Sequence, residues 1–292
     1  IEKGAVDIAR LRFWLALIVD EDTPHALPNM DFKIMQGNSL LEQYEGVELS
    51  GMSLNEQKKR KTKKGDAYQV SLAFDEKTAL ENIQKAIKQY YLTDNHETKL
   101  NLRKTIDDNV KSYIRNLKGC TPDIQRKLEN LPIPNDKFFL WHIYFKEVFD
   151  DGGFDIVIGN PPYGELRDLC IEEQERDKSS KYYKYAMGGR VNLFQFFYPL
   201  AQDIAKQDAI ICLIVQNSLL AEDTGKKNRQ FIFENSQILR IDSFPERYDV
   251  KKRVFENVTM SVCVGLIKNT KLTDYPFVVN TWGEKQMLNK KS

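Results

Sequence analysis

The stretch FDIVIGNPPYGE, residues 154–165, decides how the rest of this sequence is interpreted. Three alternating apolar residues lead to a glycine, which predicts a strand that ends there. Proline fixes its own φ angle and restricts the residue before it, so Asn160-Pro161-Pro162 is a stiff turn or extended segment. Tyr163 follows at once. The question is therefore whether this turn only ends a strand or also builds an active site.

The overall composition is that of a globular protein with a charged surface. The 292 residues are 41% apolar and 29% charged, and the formal net charge is +1. This balance excludes a globally basic protein, so any nucleic-acid binding has to come from local patches. No apolar run reaches the roughly 18 residues of a membrane span, and no membrane association is expected.

The cysteines and histidines predict neither a disulfide frame nor a metal site. The four cysteines lie more than forty residues apart and form no Cys-x-x-Cys pair. This spacing indicates reduced thiols in a cytoplasmic protein. The three histidines are scattered along the chain, without the spacing of metal ligands.

The chain starts at Ile1 and runs almost directly into a helical pattern, which suggests a piece of a longer protein. Apolar residues across 6–19 recur at helical spacing and become apolar all round, which predicts a helix packed on a sheet. Two prolines then break the chain. The next segment, DFKIMQGNSLL at 31–41, predicts a short strand followed by a turn at Gly37-Asn38.

Residues 50–135 differ in composition from the rest of the chain, because they are rich in charged, helix-forming residues. Two amphipathic patterns within them predict helices, and Asp75 suits the cap of the first. We interpret 50–135 as a helical insertion. The predicted domains are then the first part of a core at 1–49, the insertion, and the remainder of the core at 136–292.

The C-terminal half predicts an α/β fold. VNLFQFFYPLAQDIAK, at 191–206, predicts a helix with one broad apolar face. The last two predicted strands are close together and are expected to pair antiparallel at a sheet edge. Strands alternating with helices predict a mostly parallel sheet covered by helices. The predicted strands are short, β-branched segments at 154–158, 209–215, 238–244, 261–267 and 276–280.

The Asn-Pro-Pro-Tyr turn holds three groups that suit a planar amino group. The Asn160 side-chain oxygen and the Pro161 carbonyl can each accept one N–H of an exocyclic amine, while the Tyr163 ring stacks on the heterocycle. Asparagine is not a strong base, so these groups would position the amine rather than deprotonate it. On chemistry alone, a strand-ending turn whose tyrosine fills a pocket is an equal alternative.

A family resemblance favours the active site. FFLWHIYFKEVFDDGGFDIVIGNPPYGE, residues 138–165, resembles the region around the Asn-Pro-Pro-Tyr motif of N6-adenine DNA methyltransferases. It is most similar to those of type II restriction-modification enzymes that combine methylation and cleavage in one polypeptide. The resemblance covers all but the helical insertion and the last dozen residues. It implies a class I (Rossmann-like) methyltransferase fold, S-adenosylmethionine as methyl donor, and an adenine flipped out of double-stranded DNA as substrate.

The resemblance also implies roles for single residues at the base. Asn160, Pro161, Pro162 and Tyr163 match the catalytic motif, in which the asparagine and the first proline accept hydrogen bonds from the amine. Tyr163 matches the ring that stacks on the flipped adenine, and Phe255 matches the aromatic residue on its other side. Phe255 is also interpretable as an aromatic core residue before an edge strand.

The resemblance implies that three residues bind the cofactor, namely Gly37, Asn38 and Asn160. Asn38 matches a contact with the adenine ring of S-adenosylmethionine, although it also suits the left-handed position of a Gly-Asn turn. In the family, the glycine-rich loop and the ribose-binding acid lie upstream of the segment that starts this chain. The fragment alone is therefore expected to lack part of the cofactor site and to be N-terminally incomplete.

The implied parent is a bacterial or archaeal cytoplasmic enzyme with a downstream target-recognition region and an upstream nuclease domain. Two alternatives stay open. Methyltransferases that modify a glutamine amide of release factors also use Asn-Pro-Pro-Tyr, because an amide NH2 poses the same geometric problem. The fragment could also be a catalytically inert DNA-binding module that retains the fold.

Three further segments carry weaker signals. KKRKTKK, at 58–64, is more typical of a solvated charged stretch than of a DNA contact. RDKSSKYYKYAMGGR, at 176–190, suits phosphate contact and stacking, or equally a mobile surface loop. Asp66, Asp75 and Lys77 loosely imitate a nuclease site, but Asp75-Glu76-Lys77 is an ordinary helix start, so no nuclease is predicted here.

Overall fold

The computed structural model describes residues 3–19, 29–49, 67–117, 119–131, 138–186, 190–257, 259–272 and 276–282. The chain divides into two compact units, Ile1–Lys146 and Glu147–Ser292, called here the N-terminal and C-terminal units. The basic run at 58–64, Asp66 and part of the segment 176–190 lie outside the described residues.

The N-terminal unit is mainly helical in its described part. Two short strands, β1 (Gln43–Tyr44) and β2 (Val47–Glu48), pair antiparallel around Glu45-Gly46. The helices are α1 (Lys3–Val19), α2 (Ala67–Leu92), α3 (His96–Arg115), α4 (Pro122–Glu129) and α5 (Trp141–Tyr144), and α6 (Lys146–Asp150) follows at the unit boundary.

Local sequence explains where α3 and α4 begin. The Asn95 side chain accepts a hydrogen bond from the Thr98 N–H at 2.9 Å, which caps α3. Thr121 caps α4 in the same way, and a proline occupies its first turn. Such caps satisfy backbone N–H groups that have no partner inside the helix.

Helical periodicity explains the core of the N-terminal unit. The buried residues of α3 recur at helical spacing and form one apolar face. Ile106 on that face packs in one cluster with Ile83 of α2 and Leu128 of α4, and all three are fully buried. Tyr44 and Val47 of the hairpin belong to the same cluster. The predicted helices are thus observed.

Two expectations for the N-terminal unit are wrong, and the packing of α1 on a sheet stays a prediction. The strand predicted within 31–41 is absent, because Phe32 has a left-handed φ of 59° and residues 31–34 form a turn. Asp75 lies inside α2 rather than at its cap, because no helix-breaking residue stands between Ala67 and Asp75. Helix α1 is observed, but the described part of its unit offers no larger sheet than the β1–β2 hairpin for it to pack on.

The C-terminal unit contains a mixed five-stranded sheet. Strands β3 and β4 are parallel, β6 is antiparallel to both β4 and β5, and β5 and β7 are parallel. Four of these strands therefore point the same way, which confirms the predicted α/β fold with mostly parallel strands. The order is β3-β4-β6-β5-β7, with β3 (Phe154–Gly159), β4 (Ala205–Gln216), β5 (Gln237–Phe244), β6 (Val262–Lys268) and β7 (Val278–Thr281).

The predicted antiparallel edge is wrong. Strand β6 does not pair with β7 but lies inside the sheet, hydrogen-bonded to β4 on one side and β5 on the other. Strand β7 instead pairs in parallel with β5. Val262 and Cys263 of β6 are almost fully buried, as expected for a strand inside a sheet.

The helices of the C-terminal unit are α7 (Ile171–Lys178), α8 (Phe197–Ile204), α9 (Ser218–Ala221) and α10 (Lys226–Asn235). The helix predicted at 191–206 starts as a 3-10 turn, Leu193–Phe196, and continues as α8. Its predicted end is wrong by two residues, because the chain becomes extended at Ala205 and β4 begins there.

A glycine turn sets the start of β3. Gly153 has a left-handed φ of 118°, and a Cβ there would lie 2.7 Å from the Ile204 carbonyl oxygen and 2.8 Å from the Lys206 nitrogen. Only glycine allows both this conformation and this close approach of two backbones. The turn therefore delivers β3 alongside the start of β4.

Candidate active site at the end of strand β3

The Asn-Pro-Pro-Tyr turn follows β3 at its carboxyl end. Strands β3 and β4 are parallel and pair up to Gly159 and Leu213, so both strands end at the same edge of the sheet. In α/β sheets, ligands bind at this edge. Asn160 is exposed, Pro161 is buried and Tyr163 is partly buried. The turn thus presents one polar side chain to solvent while its backbone is anchored.

Asn160 and Tyr163 lie in direct contact. The Tyr163 hydroxyl donates to the Asn160 Oδ1 at 2.7 Å, and the Ile214 carbonyl oxygen lies 3.2 Å from the same hydroxyl. An amide oxygen has two lone pairs, so the Asn160 Oδ1 can accept a second hydrogen bond from an amine. The Tyr163 hydroxyl therefore orients the Asn160 Oδ1 and leaves it able to accept one more hydrogen bond.

Tyr163 cannot act as a base at neutral pH. Burial, with a smaller contribution from the nearby Cys263 thiol, raises the pKa of Tyr163 to about 12. The phenol therefore keeps its proton, and its ring rather than an oxyanion is the group offered to a ligand.

The structure brings Phe255 next to Tyr163, and the stacking of these two rings on a base stays a prediction. Their centroids are 6.1 Å apart and their planes make an angle of 51°. Stacking a base between two rings requires about 7 Å, twice the roughly 3.4 Å spacing of stacked bases. The two rings are closer than this and tilted, so a base can lie between them only if they separate and turn towards parallel. The alternative interpretation placed Phe255 before an edge strand. This part of it is wrong, because the strand that follows Phe255 is β6, which lies inside the sheet.

The chain after Tyr163 is held by a second backbone segment. The Leu193 N–H donates to the Gly164 carbonyl at 2.9 Å, and the Leu166 N–H donates to the Val191 carbonyl at 2.8 Å. Sequence analysis did not single out the two side chains that reach the Tyr163 carbonyl, Asn192 and Gln216. Their only signal in the sequence is position, because Asn192 is the second residue of the helix predicted at 191–206 and Gln216 directly follows the strand predicted at 209–215.

Gly37 and Asn38 belong to the N-terminal unit. The Asn38 Oδ1 accepts from the Leu40 N–H at 3.2 Å, and the Asn38 carbonyl accepts from the Leu41 N–H at 3.2 Å. A turn is present, but its central residues are Ser39 and Leu40 rather than Gly37 and Asn38. Asn38 is also not among the described residues with a left-handed φ. With its oxygen held, the Asn38 amide can offer its NH2 donor to a ring nitrogen of adenine, so the residue fits the implied cofactor.

The basic and aromatic segment 176–190 is anchored in its described part, unlike the mobile loop considered as one alternative. The Tyr182 hydroxyl donates to Asp203 Oδ2 at 2.8 Å, and Lys181 Nζ lies 2.6 Å from the same oxygen. The Tyr185 ring contacts Phe231 of α10 with centroids 4.3 Å apart. Contact with phosphate remains a prediction. Exposed cations of the described part include Lys178, Lys184 and Arg190, of which Arg190 lies 3.9 Å from Glu165 Oε1 and Lys184 lies over the Tyr185 ring.

Two further kinds of feature are absent from the described residues. No group of three or more His, Cys, Asp or Glu side chains among them could hold a metal ion. No described helix is long and apolar enough to cross a membrane.

Comparison with known proteins identifies relatives in restriction-modification systems. A Methanocaldococcus jannaschii protein named as a type II restriction enzyme and methyltransferase, RM.MjaORFECS2P, is 28% identical over an alignment 210 residues long, which covers 57% of this chain and 18% of the relative. The Escherichia coli type II restriction enzyme and methyltransferase RM.Eco57I is 27% identical over 125 residues, 42% of this chain and 12% of the relative.

A third relative, the type II methyltransferase M.BanIII of Aneurinibacillus aneurinilyticus, is 33% identical over 87 residues, 30% of this chain and 14% of the relative. The chain thus spans less than a fifth of the length of each of these relatives. The family model of the Eco57I restriction-modification methylase matches residues 1–250. Because this match covers well over half of its length, the chain belongs to the Eco57I restriction-modification methylase family.

Proposed function

We propose that this chain is the catalytic part of a site-specific DNA methyltransferase that transfers a methyl group from S-adenosylmethionine to N6 of an adenine flipped out of double-stranded DNA. The arrangement that supports this proposal is Asn160, Pro161 and Tyr163 at the carboxyl end of β3, in a chain of a methylase family. The fold is then that of a class I methyltransferase.

The proposed chemistry is positioning of the target amine. The Asn160 Oδ1 and the Pro161 carbonyl accept its two N–H groups, which directs the nitrogen lone pair towards the methyl donor. S-adenosylmethionine, when bound, supplies an electrophilic methyl group. The rings of Tyr163 and Phe255 hold the base by stacking, which contributes about 1–3 kcal/mol per base.

For the cofactor, we propose that Gly37 and Asn38 bind its adenine and that Asn160 borders it. In the whole protein, we propose a target-recognition region downstream of this chain and a nuclease domain upstream of it. The helical segment 50–135 is proposed to be an insertion in the methyltransferase core.

The proposal is tested in the intact protein with Asn160→Ala and Tyr163→Ala, using transfer of tritiated methyl groups to cognate duplex DNA. We expect each variant to lose at least about 100-fold in rate, as when a preorganised polar group is removed from other active sites. Digestion of the product to nucleosides should give N6-methyl-2′-deoxyadenosine. A methylated cytosine would overturn the adenine assignment, and unchanged rates would overturn the site.

The matched control is Asn235→Ala. Asn235 is an exposed asparagine of the same unit whose side chain donates only locally, to the Phe231 carbonyl. Its substitution should leave the rate within about twofold, since surface changes away from special features have small effects.

A further inference from the structure

The carbonyl group of Tyr163 is held by two side-chain amides. Gln216 Nε2 donates to this oxygen at 2.9 Å, and Asn192 Nδ2 lies 3.3 Å from it. Gln216 is the last residue of β4, and Asn192 caps the 3-10 turn that precedes α8. Two segments distant in sequence thus converge on one backbone oxygen beside the catalytic ring.

The two amides also fix each other's orientation. Asn192 Nδ2 donates to Gln216 Oε1 at 2.9 Å, so Gln216 accepts from one partner and donates to the other. Reversing the Gln216 amide would place two donors together at Asn192 and two oxygens together at Tyr163. The hydrogen-bond inventory therefore permits one arrangement of this amide.

Two buried side chains, Gln195 and Asn228, hold the backbone around Asn192 through hydrogen bonds. The Asn192 N–H donates to Gln195 Oε1 at 2.8 Å, and Gln195 Nε2 donates to the Thr224 carbonyl at 2.6 Å. Asn228 of α10 donates to the Gln195 carbonyl at 2.6 Å. Gln195 and Asn228 are 1% and 0% exposed. Breaking one of these bonds would leave a desolvated polar group unpaired, which favours this arrangement of Asn192 and Gln195, although the buried Asn228 Oδ1 has no partner among the described residues.

The two amides hold the part of the turn whose conformation is otherwise least restricted. Prolines restrict the chain before Tyr163, and the backbone bonds of Gly164 and Leu166 hold the chain after it. The peptide plane between Tyr163 and Gly164 is the link between these two fixed segments. Holding its carbonyl sets the direction in which the Tyr163 ring and, through its hydroxyl, the Asn160 amide point.

We propose that Gln216 and Asn192 are positioning residues of the methyl transfer, which clamp the Tyr163 carbonyl so that the Asn160 acceptor and the Tyr163 ring meet the target base in a productive geometry. This inference rests on the proposed function. Both residues act through the Tyr163 carbonyl, so the expected effect is on the rate of transfer rather than on the binding of either substrate.

The test uses the intact protein and single-turnover methylation of cognate duplex DNA. Gln216→Glu keeps the shape of the side chain but places an oxygen where the donor N–H2 was, and Asn192→Ala removes the second donor. We expect each to lower the transfer rate about 30-fold or more. The Kd values for DNA and for S-adenosylmethionine should stay within about threefold, and the thermal midpoint within a few degrees.

The double variant Gln216→Glu/Asn192→Ala separates a shared clamp from two independent structural roles. Since both amides act through one oxygen, its loss should be clearly smaller than the product of the two single losses. Gln207→Ala is the control, because Gln207 is an exposed glutamine near the other end of β4 that donates to Thr270. It should transfer methyl groups at the wild-type rate.

Three outcomes overturn this inference. One is an unchanged rate in both single variants, another is multiplicative losses in the double variant, and the third is a lowered thermal midpoint with wild-type activity per folded molecule. If the wild-type intact protein does not methylate adenine in DNA, the proposed function itself fails. If the wild-type protein methylates adenine and the Gln216 and Asn192 variants do so at the same rate, the proposed function stands and only the positioning role of these two residues fails.

Discussion

At the scale of the residue, the hydroxyl and the ring of Tyr163 have different roles. The hydroxyl orients the Asn160 Oδ1 through a 2.7 Å hydrogen bond, while the ring faces Phe255. Burial keeps the hydroxyl protonated up to about pH 12, so ionisation of this phenol should not shape activity near neutral pH. The two contributions can therefore be separated by substitution at a single pH.

We expect Tyr163→Phe to lower the methylation rate of the intact protein by about 3–10-fold, because one hydrogen bond contributes about 0.5–1.5 kcal/mol. Tyr163→Ala also loses the stacking surface, so its loss should exceed that of the phenylalanine variant by at least about tenfold. Rates measured between about pH 7 and 9 should keep the same ratio. Equal losses in the two variants would contradict a stacking role for the ring.

At the scale of the element, the glycine turn before β3 determines whether the site is built at all. Gly153 combines a left-handed φ with a Cβ position that overlaps the backbone at Ile204 and Lys206. Relief of this overlap requires the start of β3 to move away from β4. The parallel pairing that carries the Asn-Pro-Pro-Tyr turn to the sheet edge would move with it.

We expect Gly153→Ala to destabilise the protein by about 3 kcal/mol or more, since a steric clash with backbone adds to an unfavourable φ. Urea denaturation followed by circular dichroism measures this loss. Gly4→Ala is the opposite control: Gly4 lies in α1 with no atom within 4 Å of its Cβ position, and alanine there favours the helix by about 1 kcal/mol. A mild effect at Gly153 would show that the turn can relax.

At the scale of the whole molecule, charge is the property that bears on DNA binding. The net charge of +1 supplies no general attraction, so binding to phosphate has to use local cations. Exposed Lys178, Lys184 and Arg190 lie in an anchored segment of the unit that carries the Asn-Pro-Pro-Tyr turn. Each phosphate contact contributes about 0.9 to the slope of log K against log salt.

We therefore expect the triple variant Lys178→Ala/Lys184→Ala/Arg190→Ala of the intact protein to reduce this slope by about 2–3. Affinity should fall to a similar extent for cognate and unrelated duplexes, because phosphate contacts carry no sequence information. Fluorescence anisotropy at several salt concentrations measures both quantities.

The control for the charge prediction replaces Lys85, Arg103 and Lys104 with alanine. These exposed cations belong to the other unit, on α2 and α3, and their replacement removes the same total charge. An equal change of slope in both variants would show that total charge, rather than the segment beside the site, governs binding.

Sequence patterns predicted the elements better than their partners. All five strands in the described part of the C-terminal unit were predicted within a few residues, because β-branched runs bounded by turns define a strand locally. The pairing of the last two strands was wrong, since β6 inserts between β4 and β5. Periodicity identifies a strand but carries no information about which strand lies beside it.

The same division applies to the site. Two prolines and the spacing of Asn160 and Tyr163 determine a stiff turn with an acceptor and a ring, because these restrictions act within a few bonds of the backbone. Only the tertiary structure decided that Gln216 and Asn192 meet at the Tyr163 carbonyl and that Phe255 faces the ring. Such contacts join segments far apart in the chain, and the ordering of the sheet, rather than any local pattern, brings them together.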